Sequence, residues 1–163
     1  MNALIIGMLG VFVFMAIYYK VFGLVADLVL LSNVVLLTAL LSLMHGAALS
    51  LPGIAGIILT VGMAVDANVL IYERIREELR NGVSPQTAIR NGFDKAFSAI
   101  ADSNVTTLIA GLVLWVFGTG PIRGFAVVLT LGIGTSMFTA LMGSRALLTL
   151  MYGGKRKIAR LPI

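Results

Sequence analysis

The chain has 163 residues, of which 59% are hydrophobic and 12% charged, and its mean hydropathy is +1.02. Soluble domains carry about 25% charged and about 45–50% apolar residues, and a chain this small has too little interior to hide the excess; a water-soluble globular fold is excluded and lipid is the solvent. The formal charge of +5 would suit nucleic acid, but the basic residues fall between and after apolar runs and form no aromatic-interleaved patch, so no nucleic-acid partner is expected.

A spanning helix needs about 20 mostly apolar residues, and by that rule the chain reads as an all-α, polytopic transmembrane bundle of about five spans. The first covers about 3–19 and stops at Lys20. It has no basic segment ahead of it and further spans follow, so it is not a cleavable signal. The second covers about 24–44 and leads to a short loop with His45. The third covers about 52–72, with Pro52 in its first turn. The fourth covers about 105–117, and the fifth, about 121–151, is expected to be bent, tilted or partly interfacial. The absence of cysteine excludes disulfides.

Between the third and fourth spans, residues 73–101 read as a cytoplasmic amphipathic helical segment broken at Asn81-Gly82 and restarted by Ser84-Pro85. Ile89, Phe93, Ala96, Phe97 and Ile100 form one apolar stripe at helical spacing. Such a stripe rests on the membrane surface, on its own bundle or on a docking partner. Arg74 with Glu78 and Glu73 with Arg76 are spaced to pair on the helix surface.

Lys20, the cations from Arg74 to Lys95, and the tail Lys155, Arg156, Lys157 and Arg160 fall on one side, and Arg123 falls in a loop on the other. The positive-inside rule makes the first side cytoplasmic. The chain then enters from outside, and the expectation is that a preceding span and an external segment belong to the same protein.

Small residues recur inside the spans. Gly53, Gly56 and Gly62 punctuate the third, Gly120 and Gly124 open the fifth, and Gly132, Ser136, Thr139 and Gly143 continue the pattern. Small residues let helix backbones approach closely in lipid, so these are expected packing positions, inside the bundle or against a partner.

The residue with the most chemical content is Asp66, inside the third span towards its cytoplasmic half. A mid-span charge costs about 2.5–3.5 kcal/mol on insertion scales, so an intramembrane carboxylate is a functional candidate. Lipid disfavours its charged form, which is what proton binding near neutral pH requires; the alternative is a carboxylate that only cross-links helices. Asn68 points to a different neighbour, about 160° round the helix. Asp66 has no evident basic partner in the chain, so it is either protonated much of the time or met by a cation from a second polypeptide. Asp102, Asn104, Thr106 and Thr107 make a polar cluster at the inner end of the fourth span, read as a helix cap at Asp102 or the lining of a proton path. Asp27, just inside the second span, and His45 read as structural or neutral. No enzymatic residue, metal ligand set or organic cofactor is expected.

The runs Leu51-Pro52-Gly53-Ile54-Ala55-Gly56, Val65-Asp66-Ala67-Asn68-Val69-Leu70 and Glu73-Arg74-Ile75-Arg76-Glu77-Glu78 carry a resemblance. So do Asp102-Ser103-Asn104-Val105-Thr106-Thr107-Leu108, Gly118-Thr119-Gly120, Gly124-Phe125-Ala126 and Tyr152-Gly153-Gly154-Lys155-Arg156. Together they resemble the SecD side of the SecD/SecF family, within the RND transporter superfamily. The resemblance implies a bacterial inner-membrane subunit that pairs with SecF and assists the SecYEG channel, alongside YajC and YidC. It would use the proton-motive force to help a preprotein across, with the proton as coupling ion and no other cofactor. It implies that Asp66 is the proton-coupling carboxylate and that SecF supplies the basic partner: where SecF would carry an arginine ahead of Thr-Thr-Leu, this chain has Ala99. It also implies a first span and a large external domain that these 163 residues lack. The other readings are the half of a different RND-type exporter, an assembly subunit in which Asp66 only orders the bundle, and an aspartyl intramembrane protease using Asp66 and Asp102. No protease-like motif surrounds either aspartate.

Overall fold

The computed structural model describes residues 2–44, 50–152 and 163. Six α-helices follow in order: α1 (Asn2–Tyr19), α2 (Val21–Leu43), α3 (Leu51–Arg80), α4 (Pro85–Phe117), α5 (Gly120–Met137) and α6 (Ser144–Tyr152). A π-helical segment, Phe138–Gly143, joins the last two without a break. There is no strand among the described residues. Five helices, the last counted from Gly120 to Met151, are long and apolar enough to cross a membrane. His45 and the cationic tail from Lys155 to Arg160 lie outside the described residues.

Local chemistry sets the helix ends. Lys20 alone separates α1 from α2, at φ 53°, ψ −120°, a conformation that favours glycine. Ser50 caps α3 by accepting a hydrogen bond from the Gly53 amide at 3.2 Å, with Pro52 in the first turn. At the other end of α3, the Gly82 amide donates to Leu79 O and the Val83 amide to Glu78 O, with Gly82 at φ 81°. That is a Schellman cap, and it ends the helix where Asn81-Gly82 marks a stop. Pro85 then opens α4. In the π segment the Ser144 amide reaches back to Thr139 O, five residues away. One extra residue per turn shifts the phase of every side chain beyond it.

Two of these boundaries differ from the sequence expectation. Helix α3 runs through the expected membrane edge to Arg80, and α4 runs unbroken from Pro85 to Phe117. Residues 73–101 are therefore the two ends of long helices, packed as an antiparallel hairpin. Asp102 lies in the middle of α4 and cannot cap it. Ile89, Phe93, Ala96 and Ile100 are buried in the hairpin and the core behind it, while Phe97 is 53% exposed. The ion pairs also shift. Arg76 pairs with Glu73 at 3.0 Å as the spacing suggests, but Arg74 takes Glu77 at 2.7 Å rather than Glu78. Glu78 faces α4, where Lys95 and Asn91 donate to it.

The surface is inverted relative to a water-soluble protein. Ile6, Ile17, Val116 and Phe117 are each at least 70% exposed, a continuous apolar exterior that only lipid or another chain can cover. Inside, glycines set the closest approaches. A Cβ on Gly132 would stand 2.4 Å from Thr60 Oγ1, and one on Gly56 would stand 3.0 Å from Val128, so side chains of α3 and α5 seat directly on the glycines of the facing helix. Gly92 gives the same clearance to Ile75, and Gly111 to Thr130. Gly53 is buried, and Gly124 lies against Ser50. Gly62 and Gly120 do not pack inside the bundle, since a Cβ at either meets nothing within 4 Å. Gly120 serves a turn, at φ 55°; Gly62 lies on an open face.

Candidate functional site

Helix α3 has two unlike sides. One is buried along its whole length, by α5 at Gly56 and Thr60 and by α4 at Ile75 and Glu78. The other is uncovered, and it carries Leu59, Gly62 and Asp66. Asp66 lies seven residues, about 10 Å of helix, above Glu73, well within the apolar stretch. Among the described residues it makes no ion pair and no hydrogen bond. Arg123 is at the opposite end of the bundle, beside the Gly124–Ser50 contact. Arg145 stands 3.8 Å from Asp94 on α4, both more than half exposed. No cation among the described residues of this chain serves Asp66.

The remaining predicted residues divide. Asn68 is 1% exposed and turned inward, where it accepts a 2.9 Å hydrogen bond from the Ser144 hydroxyl. Ser144 itself is completely buried, so the pair pins α3 to the start of α6. The antiparallel register that seats Gly92 on Ile75 and Lys95 by Glu78 brings Asp102 and Asn104 to about the depth of Asp66. Asn104 is buried and Asp102 is exposed. The Thr106 and Thr107 hydroxyls donate to the carbonyls of Asp102 and Ser103, at 3.0 and 3.1 Å. Each is thereby satisfied inside its own helix, as hydroxyls in lipid tend to be.

Several contacts carry no signal in sequence. That of Ser144 with Asn68 is one, since it depends on the phase set by the π segment. Others gather round the expected Glu73–Arg76 pair at the α1–α2 turn. There Arg76 donates to Glu73 and to the Tyr18 carbonyl, at 3.0 and 3.2 Å, and lies over the rings of Tyr18 and Tyr19 at 4.6 and 4.9 Å. The Tyr19 hydroxyl donates to the same Glu73 oxygen at 2.9 Å, tying the α1–α2 turn to α3. Below it, hydrogen bonds from Lys95 and then Asn91 hold the Glu78 carboxyl below its usual range. The hairpin is thus closed by a carboxylate that works in its charged form.

Residues 1–153 match the family model described as protein export membrane protein SecD/SecF, C-terminal. The chain is 55% identical over 155 residues to the protein translocase subunit SecD of Haemophilus influenzae, covering 95% of this chain and 25% of that one. It is 53% identical over 156 residues to the same subunit of Escherichia coli K12, covering 96% and 25%. In three dimensions it is similar to the crystal structure of SecDF, a translocon-associated membrane protein, from Thermus thermophilus. That match has a TM-score of 0.84 and 43% identity, over 96% of this chain and 22% of that one. The chain thus spans about a quarter of the length of the curated relatives it matches.

Proposed function

This chain belongs to the SecD/SecF family of protein-export membrane proteins, and from that premise we propose that it is the membrane half of a SecD subunit in which Asp66 couples the proton-motive force to preprotein export. It is a multi-pass protein of the inner membrane. The observation that carries the proposal is the placement of Asp66: deep in an apolar span, on the one uncovered side of α3, with no counter-ion among the described residues. A carboxylate so placed costs free energy in its charged form unless a second polypeptide covers it. SecF is the partner that fits, seating on the face of Leu59, Gly62 and Asp66 and bringing the cation. The SecYEG channel, with YajC and YidC, would be the machinery that the pair serves, and the proton the coupling ion. No enzymatic step is involved.

The mechanism follows from charge. Protonated from the outer side, Asp66 is neutral and its attraction to the partner's cation is lost; deprotonated inward, it regains it. Each cycle changes the interaction between two helix bundles, which rock against each other and move the external domains. A proton crossing 100 mV supplies about 2.3 kcal/mol. That biases a two-state element roughly 50-fold, enough to rectify the motion of a preprotein segment though not to pull a whole chain at once.

A photo-crosslinking amino acid at Leu59 or Gly62, in cells with the full-length protein, tests the covering of this face. Capture of SecF there, and not from a more exposed position such as Ile6, is expected. Capture of lipid alone at Leu59 and Gly62 would contradict the proposal.

A further inference from the structure

A polar seam runs through the interior of the bundle, where α2, α3, α5 and the junction of the π segment with α6 meet. The Ser144–Asn68 hydrogen bond is part of it, and so is the bond from the Thr135 hydroxyl to Asn33 Oδ1 at 3.3 Å. Four side-chain polar atoms are enclosed without a partner among the described residues: Asp27 Oδ1, Asn33 Nδ2, Tyr72 Oη and Thr130 Oγ1. Two of these lie on neighbouring helices, Asp27 on α2 and Tyr72 on α3. Tyr72 is completely buried and packs edge-on against Phe22 of α2, ring centroids 5.4 Å apart, and Ser144 is completely buried as well. Enclosed polar atoms in native proteins find partners, often through an internal water that makes about three hydrogen bonds.

Asp27 is six residues, about 9 Å of helix, inside the start of α2. No Lys or Arg among the described residues makes an ion pair with it. From the end of α1, the Tyr19 hydroxyl donates to Glu73, and Lys20 is exposed at the turn. From α3, Tyr72 packs on α2 through Phe22 and is neutral at ordinary pH. From α6, Arg145 is turned to Asp94. The run from α5 through the π segment contains one charged residue, Arg123, at its far end. A carboxylate with one oxygen sealed inside a membrane protein and no cation in reach is costly when charged. A neutral carboxyl removes the cost: its O–H becomes a donor and its other oxygen still accepts. Those two roles suit the hydroxyls of Tyr72 and Ser144, reached through one water.

We propose that Asp27 is a second intramembrane proton-binding carboxyl, held by Tyr72 and Ser144 and loaded from the cytoplasmic side. The step is a single proton transfer from cytoplasmic water to an Asp27 oxygen, with no other bond made or broken. Occupancy of the site bears on α3 through Ser144 and Asn68, two residues from Asp66. The proposal holds whether or not Asp66 couples protons, and the two are separable by experiment.

The test is infrared difference spectroscopy on the full-length protein with its partner subunit in lipid vesicles. Spectra are titrated with pH for the wild type, Asp27→Asn, Asp66→Asn and Tyr72→Phe. The expected result is a carboxylic-acid C=O band, present at a pH where a water-exposed aspartate is fully ionised. It disappears in Asp27→Asn, survives in Asp66→Asn, and shifts in frequency and titration in Tyr72→Phe. No band lost in Asp27→Asn overturns the proposal, and so does a band lost with Asp66→Asn instead. A band that disappears when sodium replaces choline in the buffer also overturns it, in favour of a cation site. Should Asp27→Asn fail to fold, Tyr72→Phe removes only a hydroxyl and decides alone: an unshifted band refutes the assignment.

Discussion

Substituting Gly132 with alanine puts the α3–α5 contact to a quantitative test. The new methyl would stand 2.4 Å from both Thr60 Oγ1 and Thr60 Cγ2, and 2.9 Å from Thr60 Cβ. Restoring ordinary contact at 3.4 Å asks for about 1 Å of separation. Thr60 cannot swing aside: it is β-branched, 1% exposed, and its hydroxyl donates to the Gly56 carbonyl at 2.8 Å. The helices must part instead, loosening the nearby Gly56–Val128 contact. Overpacking of this kind costs about 1–3 kcal/mol. Reversible unfolding in mixed micelles, read by tryptophan fluorescence, should show that loss in Gly132→Ala. Combining it with Thr60→Ala should cost less than the sum of the two single changes, because the clash is shared. A neutral Gly132→Ala, or strict additivity in the double variant, would refute the packing argument.

Three further outcomes follow from the same reasoning. Gly62→Ala meets nothing within 4 Å and removes a flexible residue from a helix interior, so it should raise the stability of the isolated chain by about 0.5–1 kcal/mol. In cells the same methyl should weaken co-purification of the partner that covers the Asp66 face. Lys20→Gly relieves a backbone conformation that favours glycine and should stabilise by about 1 kcal/mol, within the range for local backbone strain; an unchanged unfolding midpoint would count against it. Glu78 is held below its usual range by Lys95 and Asn91. Its contribution is therefore fully present above the ordinary glutamate value of about 4.3 and is lost only as pH falls through the lower folded value. Hydrogen exchange in residues 73–101 should be flat once corrected for intrinsic rates between about pH 6 and 8, and rise in acid below the glutamate range.

Much of this was legible in the sequence, where a local rule happened to coincide with the tertiary outcome. Asn81-Gly82 and Ser84-Pro85 mark a helix stop and start by their own backbone preferences, and the chain turns there. Asp66 was conspicuous because it is a lone carboxylate in an apolar run. The polar cluster at Asp102–Thr107 misled for the opposite reason: it resembles a helix start, yet packing of Ala96, Ile100 and Asn104 carries α4 straight through it. Gly62 and Gly132 look alike in sequence, and only their placement around α3 and α5 separates an open face from a seam. The partners of Glu78 lie across a turn, on the far side of the hairpin. That of Asn68 comes from the start of α6. No local pattern specifies contacts of that kind, least of all beyond a π segment that shifts the helical phase.

The most direct test of Asp66 as the coupling carboxylate is preprotein export in inner-membrane vesicles that carry the complete complex with Asp66→Asn. The gradient-dependent part of export should vanish while SecF still co-purifies, because the change keeps shape and removes only the titratable charge. Export that responds to the gradient as in the wild type would contradict the account and leave Asp66 a structural residue.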